Sequence, residues 1–517
     1  MTGSRLADSD RVAWPQSVPL AQLVPGASGR VTGLSLDSRT VQPGDLYVAL
    51  PGLHTHGAQF VPQAVAQGAV AVLTDQAGAE LAGPQPVPVV PVATPRTVMA
   101  TWAADLAGRP AERMLMLAVT GTNGKTTTAF AAQALLNGLG RDSASLGTLG
   151  CWWQGQPRPW ATTTITTPES PQLQLGLAAL ADAGCQAVVM EVSSHALDLH
   201  RVDAITFAAS GFINLGRDHL DYHGDLASYF AAKAKLFEPE RSRQAVINLD
   251  DPAGQRLAAT VAERGQPLLT VGRNPAAQLR IVSEQPASDG RTSVVLQSEQ
   301  ARYAFDLSLP GAHNVTDAAL AVGLIEAAGL DPTTGLASLA QLSVPGRLQR
   351  VDLPADPSSP QPPRVYVDFA HTPEAVSATL AAVNAGPTIA VVGAGGDRDP
   401  GKRAAIGAAA ARAADCVIVT DDNPRYEDPA LIRQAVLGGA TAARAEGSAG
   451  RRPATTDIID GGDRRSAIGQ ALAYAGPGTV VVILGKGHET FQDIAGRRQA
   501  FSDAAVVLEQ WNELRRT

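Results

Sequence analysis

Lysine is scarce in this chain: five residues among 41 basic ones, the rest being arginine. Aromatic residues make up only 4% of the 517 positions. The three cysteines, Cys151, Cys185 and Cys416, stand at no metal-binding or redox spacing, which excludes a zinc ribbon or a disulfide scaffold. Isolated thiols suit a reducing cytoplasm. No apolar run is long enough to span a bilayer. The N-terminal MTGSRLADSD lacks the charged-then-apolar layout of a secretion signal. A cytoplasmic protein with no membrane insertion is therefore expected. There is no basic run either, and a net charge of −8 with pI near 5.6 argues against a nucleic-acid partner. Of the five surviving lysines, Lys125, Lys402 and Lys486 fall in glycine-bearing motifs, and Lys233 and Lys235 follow closely on the histidine-bearing GRDHLDYHG. In a chain that uses arginine for generic cations, they are enriched for tasks arginine performs poorly, such as compact phosphate contact or amine chemistry.

What the sequence does contain is clearest at MLMLAVTGTNGKTTTAF, Met114 to Phe130. An apolar run predicts a buried parallel strand. The turn Gly121, Thr122, Asn123, Gly124 follows, then Lys125, Thr126 and Thr127 at the start of an alanine-rich helix. Glycines there let backbone N–H groups converge on anionic oxygens, and the helix N-terminus adds positive potential. Lys125 would reach the terminal phosphates and Thr126 would hold magnesium. Two residues, not the usual four, separate the first glycine from the Gly-Lys pair, so this is a variant phosphate loop.

Around this loop the chain predicts an α/β protein of three domains, since its length allows about three. The expected boundaries are 1–108, a small α/β unit; 109–344, a central phosphate-loop domain with a mostly parallel sheet; and 345–517, a Rossmann-like unit. In the first, strand-like pieces flank Pro43-Gly44, and Pro62 to Leu73 reads as a helix entering a strand. In the second, AVVMEV, AASGFINL and AVINLD read as further strands, Arg280 to Leu309 as antiparallel ones, and Asn314 to Ala328 as a helix. In the third, after the Pro/Ser-rich loop Ala355 to Arg364, four apolar strands each end in a Gly-, Asp- or His-bearing loop. Ligands bind at the carboxyl ends of the strands in such sheets.

Several motifs carry chemistry. Glu191, ending a buried strand in MEVSSHAL, is placed to hold magnesium, or else to cap a helix with Ser193 and Ser194. GFINLGRDHLDYHG clusters Asn214, Arg217, Asp218, His219, Asp221, Tyr222 and His223 behind another strand. Lys233 in SYFAAKAKLF reads, by itself, as a surface lysine; carbamoylated by carbon dioxide, it would instead be an anionic metal ligand. TTTITTPES, Thr162 to Ser170, offers hydroxyls for an anionic ligand or a plain helix cap. GAGGDRDPGKR supplies Arg398, Lys402 and Arg403; DDNPR supplies Arg425; GKGHE supplies Lys486, His488 and Glu489. These strand-end cations and one acid are expected to converge on a zwitterionic, carboxylate-bearing substrate.

Together TGTNGKTTT, MEVSSHAL, NLGRDHLDYHG, GAHNVTDAALAV, VPGRLQRV, VDFAHTPEAV, GAGGDRDPGKR, DDNPR and GKGHE resemble, in order and over nearly the whole chain, the Mur ligases of peptidoglycan synthesis. Within that family they are similar to the branch that adds the third residue of the stem peptide. The resemblance implies ATP-dependent amide formation on UDP-N-acetylmuramoyl-L-alanyl-D-glutamate, through an acyl phosphate, with magnesium and a monomeric enzyme. It implies that Leu36, Ser38, Thr166, Thr167, Ser193 and Arg201 bind the UDP-sugar dipeptide. Some members carry Gln two residues before that Arg, where this chain has Leu199. It implies that Gly121 to Thr127, Asn314, Arg347, Asp368 and His371 bind ATP. Thr126, Glu191, His219 and a carbamoylated Lys233 would serve the metal, and Lys125, Lys233 and His219 the catalysis. Arg398, Asp422, Asn423, Pro424, Arg425, Gly485 and Glu489 would bind the incoming amino acid. Arg425 suits the distal carboxylate of meso-diaminopimelate. Its acidic neighbours Asp421, Asp422, Glu427 and Asp428 leave a lysine or ornithine pocket open. A folylpolyglutamate-synthase-like ligase is opposed by DDNPR and the N-terminal SLDSRT. A non-catalytic nucleotide-binding regulator is opposed by the intact Lys125, Glu191 and His219.

Overall fold

The computed structural model describes residues 13–52, 55–158, 165–287, 290–354, 362–383, 386–446 and 457–515. The chain divides into two compact units. One comprises Met1–Ile281, Leu296–Tyr303 and Asp317–Ser338, the other Val282–Val295, Ala304–Thr316 and Leu339–Thr517.

The first unit opens with a four-stranded parallel sheet, Gly33–Ser35, Asp45–Val48, Ala71–Thr74 and Val89–Pro91. Leu46, Leu73, Met99 and Leu106 bury against its face, the last two from the helix Pro95–Leu106. The next sheet is centred on the strand Leu115–Thr120, which lies between the parallel strands Ala187–Glu191 and Ala209–Phe212. Parallel strands Ser143–Gly147, Ala245–Asn248 and Leu268–Gly272 extend it. Strands buried on both faces read as continuous apolar runs, which is why LMLAVT and AVVME announce themselves in the sequence. Glu191 pairs with Val119 and Phe212 with Thr120, so three strands end level with one another. The strands Leu279–Pro286, Thr292–Gln297 and Arg302–Leu307 lie where the two units divide. The last two alternate buried and exposed residues, as the sequence pattern predicts.

The second unit holds a six-stranded sheet in the order Gln349–Val351, Arg364–Asp368, Val480–Leu484, Thr388–Val392, Cys416–Thr420, Asp457–Gly462. All pairs are parallel except the first. Successive residues feed opposite cores. Val480, Val482 and Leu484 join one, with Val417 and Val419; Val481 and Ile483 join the other, with Cys416 and Ile418. That is the doubly wound layout expected, with two strands beyond the four anticipated. Asp457–Gly462 escapes the sequence reading because DIIDGG carries only two apolar residues. The loop 355–361 and the hydroxyls Thr162 to Thr164 lie outside the described residues.

Candidate functional site

In the first unit the chain turns from Thr120 into the helix Lys125–Gly138 through Gly124, at φ 87°. A Cβ on Gly124 would stand 2.3 Å from Asp317 Oδ1, so both backbone and space demand glycine. The N–H groups of Thr122 and Asn123 donate to Asn214 Oδ1 at 3.1 and 3.0 Å. Lys125 Nζ curls over the loop and donates to the carbonyls of Gly121 and Thr122 at 2.9 and 3.0 Å. Thr126 is buried in the first turn of the helix, with Thr127 after it.

Lys233 is not the surface lysine that its local sequence suggests. It sits on the helix Leu226–Ala234, is 1% exposed, and donates to the Gly121 carbonyl at 2.9 Å. The Tyr229 ring lies 4.3 Å from its Nζ. Burial, then the nearby charge of Lys125, pulls its amine far below the usual lysine range. A buried lysine facing a carbonyl, a ring and another cation favours its neutral form.

Glu191 is buried, and both its oxygens are held by one residue. Oε1 accepts from the Thr148 N–H at 3.0 Å and Oε2 from the Thr148 hydroxyl at 2.9 Å. It caps no helix; Ser193 does, accepting from the Ala196 N–H at 3.1 Å. His219 lies 4.8 Å from His195 in an edge-to-face pair, and His195 also neighbours Tyr222 and His223. Burial, then the charge of His219, pushes His195 down to about 4, and burial lowers His219 as well. Among the described residues no three His, Cys, Asp or Glu side chains form a metal cage. A magnesium ion that keeps phosphate and water oxygens needs only one or two protein ligands. The hydroxyl of Thr126, in the helix turn after one strand, and the carboxylate of Glu191, at the end of the strand paired with it, are hard oxygen donors that fit such an ion.

Thr166, Thr167, Ser193 and Arg201 also lie together in the first unit. Thr167 donates to the Glu191 carbonyl at 2.9 Å and accepts from the Ser193 N–H at 3.2 Å. The hydroxyls of Thr166 and Thr148 are 3.2 Å apart. Arg201 donates to the Thr167 carbonyl and to Glu169 Oε1, at 3.1 and 3.0 Å, and Arg96 holds the other Glu169 oxygen at 2.8 Å. Glu169 thus bridges two guanidinium groups and makes no side-chain cap on the helix that follows it. Leu199 ends the helix Ser194–Asp198 and brings no polar side-chain atom. Leu36 is exposed, while Ser38 is buried and donates to Gln63 at 2.9 Å.

In the second unit the loops at the carboxyl ends of the strands gather the remaining residues. Asp368 accepts from the N–H groups of Leu348 and Ala370 at 2.6 and 2.8 Å. The Arg347 guanidinium stacks 4.6 Å over Phe369, which also neighbours His371 and His488. Asn314 donates to the Pro310 carbonyl at 2.7 Å. Asn314, Arg347, Asp368 and His371 all belong to the second unit, and the glycine–lysine turn to the first. Gly346 approaches the GKGHE loop so closely that a Cβ there would lie 2.1 Å from His488 N; one on Gly487 would lie 2.7 Å from the Gly346 carbonyl oxygen.

Arg425 stands at φ 52°, and its guanidinium donates to the Gly396 carbonyl. A Cβ on Gly395 would lie 3.1 Å from Arg425 and 3.8 Å from Arg398, so the two arginines flank one glycine. The four acids that might have neutralised Arg425 are all engaged elsewhere. Asp421 pairs with Arg433. Asp422 accepts from the Asn423 N–H at 2.7 Å and faces Arg464 at 4.0 Å. Glu427 binds Arg403 at 2.7 Å, and Asp428 caps a helix through the Ala430 N–H at 2.9 Å. Among the described residues no carboxylate pairs with Arg425. Arg403 and Lys486 do not join the substrate-facing cations. Arg403 is buried against Glu427, and Lys486 is 0% exposed, bonded to Asn423 and Glu489. Asp317 and Glu169 have no place in the sequence reading. Asp317 is buried behind Gly124, and burial raises its carboxyl well above the usual range; an acid directly before the apolar run AALAVGLI was the signal to follow.

Three family models match in chain order: the Mur ligase family catalytic domain at residues 30–106, the Mur ligase middle domain at 119–325, and the Mur ligase glutamate ligase domain at 346–487. This chain belongs to the Mur ligase family. It is 42% identical over 506 residues to the UDP-N-acetylmuramoyl-L-alanyl-D-glutamate–2,6-diaminopimelate ligase of Streptomyces coelicolor, covering 95% of this chain and 96% of that protein. It is 40% identical to the protein of the same name from Caulobacter vibrioides, covering 93% and 95% of the two chains. A solved structure of a ligase with that name superposes with a TM-score of 0.69 at 31% identity, covering 97% of this chain and 100% of that one.

Proposed function

We propose that this chain ligates meso-diaminopimelate to the glutamyl γ-carboxyl of UDP-N-acetylmuramoyl-L-alanyl-D-glutamate, consuming ATP and releasing ADP and phosphate. The names and near-complete coverage of its relatives support the reaction. The observation that carries the choice of amino acid is Arg425, whose guanidinium has no carboxylate partner among the described residues while every acid near it in sequence is otherwise bound. A distal carboxylate completes such a site; a bare distal ammonium meets charge repulsion and an unpaired guanidinium.

A carboxylate acylates poorly because oxide is its leaving group. Transfer of the γ-phosphoryl group makes it an acyl phosphate, which the amine attacks with loss of phosphate. Lys125 neutralises the phosphoryl oxygens in flight; Thr126 and Glu191, with His219, would hold magnesium, which would supply further positive charge there. The neutral Lys233 amine attacks the carbon of carbon dioxide: the N–C bond forms, a C=O π pair moves to oxygen and a proton leaves, giving an anionic carbamate that would be a further ligand for the metal. Thr166, Thr167, Ser193 and Arg201 hold the dipeptide, and Leu36 and Ser38 the uridine. Asn314, Arg347, Asp368 and His371 serve the adenosine side. Arg398, Asp422 to Arg425, Gly485 and Glu489 take the amino acid. Segments 1–108, 109–344 and 345–517 are assigned to UDP, ATP and amino acid respectively. No helix among the described residues is long and apolar enough to cross a membrane. The reading places the enzyme in the cytoplasm, where the nucleotide precursor and ATP are found, as a monomer.

The test is competition. The purified protein, given the UDP-sugar dipeptide, ATP and equal meso-diaminopimelate, L-lysine and L-ornithine, should yield product of the diaminopimelate mass. Faster coupling of lysine or ornithine would overturn the reading of Arg425.

A further inference from the structure

The loop after the strand Val480–Leu484 contains a lysine that no substrate can touch. Lys486 stands between Gly485 and Gly487, both at positive φ, 111° and 53°. Those glycines leave no room on either side: a Cβ at 485 would lie 2.5 Å from Asp422 Oδ2, and one at 487 would meet the Gly346 carbonyl. The side chain turns inward and is fully buried. Its Nζ donates to Asn423 Oδ1 at 2.9 Å and to Glu489 Oε2 at 2.7 Å. Asn423 Nδ2 donates to the same Glu489 oxygen at 2.8 Å, and Asn423 Oδ1 also accepts from the Asp493 N–H at 2.9 Å. Lysine, asparagine and glutamate close a ring of three contacts.

This ring saturates one Glu489 oxygen and leaves the other without a partner among the described residues, on a side chain one-quarter exposed. We infer that Lys486 is a positioning residue that aims the free oxygen of Glu489 into the amino-acid pocket and thereby helps select the diamino acid. This rests on the assignment of that pocket in the proposed function. The argument is one of charge and geometry. A buried ammonium is tolerated only where acceptors fix it, so Lys486 in turn fixes Asn423 and Glu489. It also offsets the carboxylate charge. The pocket then presents Arg398, Arg425 and one free carboxylate oxygen, which matches an end group carrying both a carboxylate and an ammonium. Without the lysine the full Glu489 charge would favour a bare distal ammonium instead.

Lys486→Met keeps the length and removes the charge. The full-length variant should raise the KM for meso-diaminopimelate by about tenfold, the worth of one charge-assisted hydrogen bond. The KM values for ATP and for the UDP-sugar dipeptide should stay within about twofold, and the preference for diaminopimelate over lysine should fall. An unchanged diaminopimelate KM and an unchanged preference would overturn the inference, as would an equal rise in all three KM values. If Lys486→Met does not fold, Lys486→Gln, which keeps a donor to Glu489, is measured the same way; failure of both to fold would mean a purely structural lysine and overturn it too. A wild-type protein that couples no diamino acid refutes the pocket assignment itself. A wild type that couples diaminopimelate alongside an unaffected variant refutes only the role of Lys486.

Discussion

Two lysines in this chain are almost completely buried, and they are buried in opposite company. Lys233, 1% exposed, donates to a backbone carbonyl, lies under a tyrosine ring and has a second lysine nearby. Lys486, 0% exposed, donates to a carboxylate and an amide. Burial is therefore not what sets a role; the partners are. Where nothing compensates the charge, burial pushes the amine toward neutrality. Where a carboxylate faces it, the lysine anchors its neighbours. The scarcity of lysine in the sequence marks both positions without telling them apart.

The largest effect should come from removing the first. Lys233→Ala is expected to lower kcat by about 10³, as loss of a charge-stabilising group at a reacting centre does, and short carboxylates such as formate should restore part of it. Full activity without additive would end the distinction between the two lysines. The converse experiment strips Lys486 of its counterion. Glu489→Ala should cost about 2 kcal/mol in urea unfolding, less than a fully buried pair would because Glu489 is one-quarter exposed. A melt unchanged from wild type would show that the ring does not anchor the fold.

Proton release sharpens the comparison further. In buffer free of carbon dioxide, the folded chain holds Lys233 far below its ordinary 10.5. Between that depressed value and 10.5 the unfolded chain binds the extra proton, so stability should rise with pH across the window, by up to about 1.4 kcal/mol per pH unit. Lys233→Met should flatten that rise, and a slope that survives the substitution would assign it to other groups. The smallest effect is expected at the pocket. Arg425→Lys keeps the charge but loses the planar fork, and should cost about 1 kcal/mol of preference for diaminopimelate over lysine, read from the ratio of kcat/KM values.

Much of this was legible from the sequence, for a definite reason. Strands buried on both faces, LMLAVT, AVVME and VVVIL, declare themselves as unbroken apolar runs, and the glycine–lysine turn between such a strand and a helix admits few other readings. The directions of single side chains were not legible. Lys486 and Arg403 looked like substrate-facing cations because they lie in strand-end loops, yet positive backbone angles at Gly485 and Gly487 turn Lys486 inward, and Arg403 is drawn under Glu427. Glu169 carried no sequence signal, because the two arginines that hold its oxygens lie far off, one of them 73 positions away. Whether Arg425 was neutralised turned on four nearby acids whose partners lie up to about 40 positions off, and no local pattern contains that information.

The close passage of Gly346 against Gly487 and His488 has a consequence for how this protein can change. Two segments, one beside Arg347 and the other beside Glu489, share a gap into which neither can put even a methyl group. A drift in one backbone has to be matched in the other. Altered amino-acid preference is therefore open to side chains such as Arg425 that stand clear of this gap, and closed to insertions in GKGHE. A chimera that borrows that loop from another family member should fold only if it also brings the donor's Pro-Gly-Arg segment, so that the two are inherited as one piece.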